Sequence, residues 1–105
     1  MRGAIVMAAL VATSSAMATQ PAPDYARAYT MAARCMVFNG YINDRDYSRI
    51  AFDAWKRLGQ LQGFSDARMN DDMQRAITHE NVQLHQHADY RAQTQVDCRA
   101  LGWAR

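Results

Sequence analysis

Residues 24–40 read DYARAYTMAARCMVFNG and contain both the first predicted helix and the first of two cysteines. Apolar side chains recur here with the i, i+3, i+4, i+7 spacing of one helix face: Tyr25, Ala28, Tyr29, Ala32, Cys35 and Met36. Asp24 is placed to cap the N-terminus of this helix. Asn39-Gly40 is predicted to end it, because both residues tolerate the left-handed conformation of a C-terminal cap. The segment therefore predicts an amphipathic helix with Cys35 on its apolar face.

A second helix is predicted to begin after a cap at Asp44 or Asp46 and to end at Gly63. Gly59 lies within this helix and is expected to weaken it slightly, because glycine has a low helix propensity. The main apolar stripe, widened by Phe52 and Trp55, consists of Tyr47, Ile50, Ala51, Ala54, Leu58 and Leu61.

A third helical region follows Phe64-Ser65-Asp66, which predicts a turn and a new cap, while Asn70-Asp71-Asp72 offers an alternative start. No Pro or Gly interrupts residues 65–101, and Gly102 is predicted to end the region. Runs of β-branched residues, which are typical of strands, do not occur in residues 19–105. The sequence therefore predicts an all-α fold.

The N-terminal segment has the organisation of a bacterial export signal. Arg2 supplies a positive charge, residues 4–11 are uniformly apolar, and Ala16-Met17-Ala18 has small side chains where a signal peptidase reads. The apolar run is too short to span a bilayer of ~30 Å as a helix. We therefore predict a signal peptide at residues 1–18 and a single helical domain at 19–105, periplasmic or secreted and without stable membrane insertion after cleavage. A buried N-terminal helix is the alternative.

The two cysteines, Cys35 and Cys98, are 63 positions apart and form no CxxC motif. In an exported chain of this size such cysteines typically form a structural disulfide, which stabilises a loop of this length by roughly 4 kcal/mol. Both are expected near C-terminal helix ends, so a bridge favours parallel first and last helices. We expect a small three-helix bundle stapled by one disulfide. Its long third helix should bend within residues 78–87, giving a four-helix bundle if it breaks there.

Charge and motifs exclude several function classes. The 105 residues include 12 Lys+Arg and 10 Asp+Glu, a net charge of +2, with basic and acidic residues interspersed. This balance disfavours a nucleic-acid partner. No nucleophile elbow, glycine-rich phosphate loop or paired acid–base group is recognisable. We therefore expect a protein that is not an enzyme and has no cofactor.

All three histidines fall in residues 79–87, which read HENVQLHQH. The segment is superficially similar to the HExxH zinc motif, but a Gln stands where the second His is required. On a straight helix His79, His85 and His87 point in different directions, so they can bind one metal ion only if the helix breaks here. A solvated helix face is the simpler interpretation of this segment. One hypothesis is a metal-binding or pH-responsive stress protein that uses these three histidines, with Glu80 as a helper. A pH response is part of it because unperturbed imidazoles titrate near pH ~6.5.

Four apolar side chains lie in or beside predicted turns, or beyond the last helix: Tyr41, Ile42, Phe64 and Trp103. If exposed, they form a recognition patch, because Trp and Tyr dominate binding hot spots. Four methionines are candidates either for an adaptable peptide groove or for core gap-fillers: Met31, Met36, Met69 and Met73. The leading hypothesis is therefore a non-enzymatic interaction or binding module whose partner is a protein or an envelope component.

Overall fold

The computed structural model describes residues 23–105, which form four α-helices and, within that range, no β-strand. The helices are α1 (Tyr25–Tyr41), α2 (Arg45–Leu61), α3 (Asp66–Gln86) and α4 (Ala88–Ala100). The predicted all-α class with one disulfide is confirmed. None of the helices in this range is both long and apolar enough to cross a membrane. The predicted signal peptide lies outside the described residues.

Three helices begin at side-chain caps, of which the sequence predicts the first outright and the other two as one of two alternatives each. Asp24, Asp44 and Ser65 each accept a hydrogen bond from the backbone N–H three residues later, at 2.9, 3.2 and 3.1 Å. These bonds satisfy amide groups that have no partner within the first helical turn. The alternative start at residues 70–72 lies inside α3.

The C-terminus of α1 differs from the prediction. The helix continues through Gly40 to Tyr41, so the expected end at Asn39-Gly40 is wrong. The chain instead reverses at Asn43, whose φ of 62° is left-handed. Asn39 is fully buried, and its Nδ2 donates hydrogen bonds to the carbonyl oxygens of Cys35, at 2.8 Å, and Trp103, at 2.7 Å. Asn39 therefore bonds both within α1 and to the C-terminal tail.

The third predicted helix breaks at His87, inside the segment where the sequence predicts a bend. His87 is extended, with φ −129° and ψ 100°. Its N–H donates to the carbonyl of Gln83, and its own carbonyl accepts from Arg91 N–H, both at 3.0 Å. One residue thus ends α3 and begins α4. The structure is the four-helix alternative, and the expectation of one long third helix is wrong.

The disulfide joins α1 to α4. Cys35 and Cys98 are fully buried, with Cα atoms 5.7 Å apart. Near the start of α4, Arg91 Nη1 lies 3.4 Å from the Tyr41 hydroxyl at the end of α1, so α4 runs back along α1. The predicted parallel arrangement of the first and last helices is wrong, because the break at His87 makes α4 a separate helix that turns back along α1. Cys35 lies well inside α1, where the antiparallel α4 reaches it.

Helix α2 runs antiparallel to α1. Gln62 Nε2 donates to the carbonyl of Tyr25 at 3.3 Å, and Ser48 Oγ donates to the carbonyl of Met36 at 3.1 Å. The late part of α2 therefore lies beside the early part of α1.

Buried side chains form two clusters along α1. The disulfide cluster, around the later part of α1, consists of Cys35, Val37, Phe38, Ala51, Leu84, Cys98 and Ala104. The aromatic cluster, around its earlier part, consists of Tyr29, Ala32, Ala33, Trp55, Met69 and Met73. The half-buried Trp103 packs against both, so the C-terminal tail connects them.

The buried face of α2 is rotated from the predicted stripe. Ile50 and Leu61 are 44% and 58% exposed, whereas Trp55 and Gly59 are buried. A Cβ at position 59 would lie 2.5 Å from Met69 Cε and 2.9 Å from Tyr29 Cε1. Gly59 therefore does more than weaken the helix, because its missing side chain lets α1 and α3 approach α2 closely.

Candidate functional site

The predicted recognition patch is divided between the two ends of α1. Tyr41 and Ile42 lie at its C-terminal end, and Trp103 is attached to the same end through its backbone. Phe64 lies at the other end, with its ring 5.2 Å from that of Tyr29. Ile42 is exposed, and the three aromatic side chains are half-buried. Tyr41, Ile42 and Trp103 therefore share one end of the bundle without Phe64.

The three histidines are distributed over α3 and the break that follows it. His79 and His85 are exposed on α3, the ring of His85 packs edge-on against Tyr41, and His87 occupies the break. Across residues 23–105 no three His, Cys, Asp or Glu side chains are grouped to hold a metal ion. His79 has an acidic neighbour, with its Nε2 3.8 Å from Glu80 Oε2. This contact pairs an ionisable imidazole with a buried carboxylate.

A cleft of about 450 Å³ lies between α1 and α3, beside the end of α2. The two helices run parallel, since Tyr29 of α1 lies opposite Asp72 of α3, and Arg34 further along α1 lies opposite Glu80. Buried aromatic rings, arginines and these two carboxylates line the cleft.

Three aromatic rings give the cleft a fixed apolar wall. Tyr29 stacks on Trp55 with ring centroids 5.5 Å apart and an interplanar angle of 25°. Phe64 meets Tyr29 edge-on. Tyr29 and Trp55 are only 7% and 4% exposed. Because aromatic pairs in these geometries are mutually stabilising, this wall is formed before any ligand arrives.

Asp72 is the first polar centre of the cleft. Its carboxylate accepts hydrogen bonds from the Tyr29 hydroxyl at 2.9 Å and from Arg75 Nη2 at 2.8 Å, with Arg68 Nε 3.5 Å away. Burial opposes ionisation, but these donors outweigh it and lower the pKa of Asp72. Burial, followed by the bond to Asp72, raises the pKa of Tyr29 to about 12. At neutral pH the pair is therefore a carboxylate and a neutral phenol.

Glu80 is the second polar centre and is 4% exposed. Its Oε1 accepts a hydrogen bond of 2.5 Å from the Tyr90 hydroxyl of α4, and Arg34 Nε of α1 lies 3.4 Å from the same oxygen. Burial, followed by the bond to Glu80, raises the pKa of Tyr90 to about 12. Glu80 therefore connects α3 to both α1 and α4 through buried polar contacts.

The arginines of the cleft are oriented by their neighbours. The Arg68 guanidinium lies 3.6 Å from the centre of the Phe64 ring, a cation–π contact. Arg75 bridges two successive acids, with its Nη1 2.7 Å from Asp71. The side chains of Arg68 and Arg75 are 58% and 70% exposed, and that of Arg34 is 28% exposed. The cleft therefore presents cationic groups to solvent beside a buried aromatic wall.

This arrangement suits non-covalent binding better than proton transfer. A general acid or base needs a proton-accepting or proton-donating atom free to reach a substrate. The carboxylates of Asp72 and Glu80 instead receive hydrogen bonds from tyrosines and contacts from arginines. In the structure both carboxylates are held by those side chains.

The sequence alone does not indicate this cleft. It predicts Tyr29 and Trp55 on apolar helix faces, Asp72 at an alternative helix start and Glu80 only as a helper of the histidines. A signal was present, because Asp72, Ala76 and Glu80 recur every four residues and place two acids on one face of α3. No local pattern indicates that this face meets the tyrosines and arginine of α1 and α4.

No family model matches the chain, and neither a curated protein nor a solved structure matches it. A function for the cleft is therefore inferred from its side chains.

Proposed function

We propose that this protein is an exported, non-enzymatic binding module and that the cleft between α1 and α3 is its binding surface. The observation that carries the proposal is the preformed aromatic wall next to oriented, solvent-exposed arginines. Ligand sites typically combine an apolar surface with a few placed polar groups in a cavity of roughly 300–1,000 Å³. The cleft, at about 450 Å³, has this composition and size.

Export is the second component of the proposal. It is supported by the order of charged, apolar and small residues in positions 1–18. The buried Cys35–Cys98 bridge is compatible with an oxidising compartment, where structural disulfides persist. Native mass spectrometry of the protein purified from its own host should give the mass of residues 19–105 less two hydrogens. An unprocessed chain with free thiols would contradict export.

Binding through the cleft can be tested by photo-crosslinking in intact cells. A benzoylphenylalanine at Thr30, which is exposed and lines the cleft, is compared with one at Lys56, which is exposed on α2 outside it. We expect intact-protein mass spectrometry to show an adduct of defined mass at position 30 and not at position 56. Absence of an adduct at position 30, or the same adduct at both positions, would count against the cleft.

The contact between His79 and Glu80 favours a second candidate, the pH-responsive protein. His79 Nε2 lies 3.8 Å from the buried Glu80 carboxylate, within ion-pair distance. Unfolding of the wild type and of His79→Gln, compared between pH 8 and pH 6, tests this candidate, which requires the two proteins to differ in their response to pH. An unchanged pH profile in the variant would exclude this mechanism.

Metal binding by His79, His85 and His87 is the other part of that candidate. Zinc titration of the wild-type protein and of a variant with all three histidines changed to Gln tests it directly. The hypothesis requires uptake in the wild type and its loss in the variant, so equal zinc affinity would reject it.

A further inference from the structure

We propose that the ligand of the cleft is a small organic anion, a carboxylate carried on a flat apolar body. This inference rests on the proposed function, because it names the ligand class of the same cleft. It follows from which hydrogen-bonding groups of the cleft are already engaged and which are left over.

The acidic groups of the cleft are engaged. Asp72 accepts hydrogen bonds from Tyr29 and Arg75, and Glu80 accepts one from Tyr90. A cationic ligand would have to compete with these donors for the carboxylate oxygens. The cleft is therefore poorly suited to a cation.

The arginines have donor capacity left over. A guanidinium carries five N–H donors in a planar fork. Arg75 directs Nη2 to Asp72 and Nη1 to Asp71, which leaves its other N–H groups free, and Arg68 approaches the Asp72 carboxylate only to 3.5 Å. Because the unused groups are donors, the matching ligand is an acceptor. The planar fork is complementary to a carboxylate in particular.

The geometry also favours a flat apolar body beside the carboxylate. Arg68 is held over the Phe64 ring at 3.6 Å, next to the stacked rings of Tyr29 and Trp55. A ligand whose charged end meets Arg68 and Arg75 would place its apolar body against the half-buried Phe64 and Ala76, with the buried Tyr29 and Trp55 rings behind them. Since these groups are already oriented by their neighbours, binding loses little conformational entropy.

A matched pair of probes tests the charge requirement. Naphthalene-2-carboxylate and naphthalene-2-carboxamide share one ring system, and only the first is an anion. Each is titrated into ¹⁵N-labelled protein with its disulfide intact, and the indole N–H resonances of the two tryptophans are followed. Trp55 lines the cleft and Trp103 does not. We expect the carboxylate to shift the Trp55 resonance and to bind at least tenfold more tightly than the amide.

Paired variants test the arginines. Arg68→Gln/Arg75→Gln removes two exposed cations of the cleft, whereas Arg49→Gln/Arg57→Gln removes two exposed cations of α2 outside it. We expect the first variant to weaken naphthalene-2-carboxylate binding at least tenfold, because charge-assisted hydrogen bonds are lost. The second variant has the same net charge and should bind like the wild type.

The outcomes separate this inference from the proposed function. If both probes shift Trp55 equally and the Arg68→Gln/Arg75→Gln variant binds unchanged, the anion inference is overturned while the cleft remains a binding surface. If neither probe shifts Trp55, the inference is likewise overturned, and the crosslinking at Thr30 decides the proposed function independently. Equal weakening in both double variants would indicate a non-specific charge effect and would also overturn the inference.

Discussion

The disulfide cluster and the aromatic cluster follow one another along α1, yet different interactions stabilise them. The disulfide cluster is closed by a covalent bond between α1 and α4 and by the tail contact of Asn39. The aromatic cluster has no covalent link and depends on stacked rings and the close approach of helices at Gly59. Small domains bury little apolar area and often need a disulfide for stability. The disulfide at one end of α1 therefore supplies stability that packing in the aromatic cluster does not have to provide. The cleft lies beside the non-covalent end.

Removing the disulfide should have the largest effect. In Cys35→Ala/Cys98→Ala the unfolded chain regains the freedom of a 63-residue separation, and the free energy of unfolding should fall by roughly 4 kcal/mol. Thermal unfolding followed by circular dichroism should show a midpoint lower by roughly 15–30 °C. A loss below about 1 kcal/mol would show that packing alone closes the disulfide cluster.

Asn39→Leu should give the next largest effect. The variant leaves the Trp103 carbonyl without its amide donor and removes the additional bond to the Cys35 carbonyl, which together should cost about 2–3 kcal/mol. Urea unfolding measures the loss. Asn70→Leu, at an exposed position of α3, is the control and should change stability by less than about 0.5 kcal/mol. Equal effects would mean that the tail is not held by this amide.

The aromatic cluster is tested by a pair of glycine variants with opposite expected signs. Gly59→Ala forces a methyl group against Met69 and Tyr29 and should destabilise by about 1–2 kcal/mol, since overpacking exceeds the gain in helix propensity. Nothing lies within 4 Å of a Cβ added at Gly40, so Gly40→Ala should be neutral or stabilising by up to about 1 kcal/mol. Destabilisation by both variants would refute the close-packing role of Gly59.

Alkaline titration gives the smallest effect and addresses the cleft. Tyr29 and Tyr90 have pKa values of about 12, raised by burial and by their carboxylate partners. Because an unfolded tyrosine ionises near pH ~10, the stability due to these two groups is complete below pH ~10 and declines as the pH rises towards 12. Absorbance at 295 nm should show two late-titrating tyrosines in the wild type and one in Tyr29→Phe. Tyr25→Phe, at an exposed position, should leave both in place.

The sequence predicted those features that depend on neighbouring residues. Asp24, Asp44 and Ser65 cap helices because a short polar side chain can reach an amide three residues away in any tertiary context. Gly63 and Gly102 adopt positive φ values after helix ends, as predicted, because glycine has no Cβ to oppose that conformation. Local rules thus predicted the start of α1, gave the starts of α2 and α3 as one of two alternatives each, and predicted two of the helix ends.

The sequence failed where a distant partner overrides a local preference. Asn39 is predicted as a helix stop, but it is buried inside α1 and its amide donates to the carbonyl of Trp103. Tyr25 and Phe52 are predicted on apolar helix faces, yet they are 40% and 38% exposed. Helix periodicity identifies an apolar face but does not fix how far that face rotates towards its neighbour.

The amino-acid sequence by itself determined that this protein is helical, where most of its helices start, and which two cysteines pair, because caps, periodicity and cysteine number are local or countable properties. Only the tertiary structure decided the direction of α4, the packing role of Gly59 and the existence of the cleft. The acids at positions 72 and 80 acquire their role only when folding places Tyr29, Arg34 and Tyr90 against them. The free energy of burying a charge depends on such partners, which lie far away in the chain.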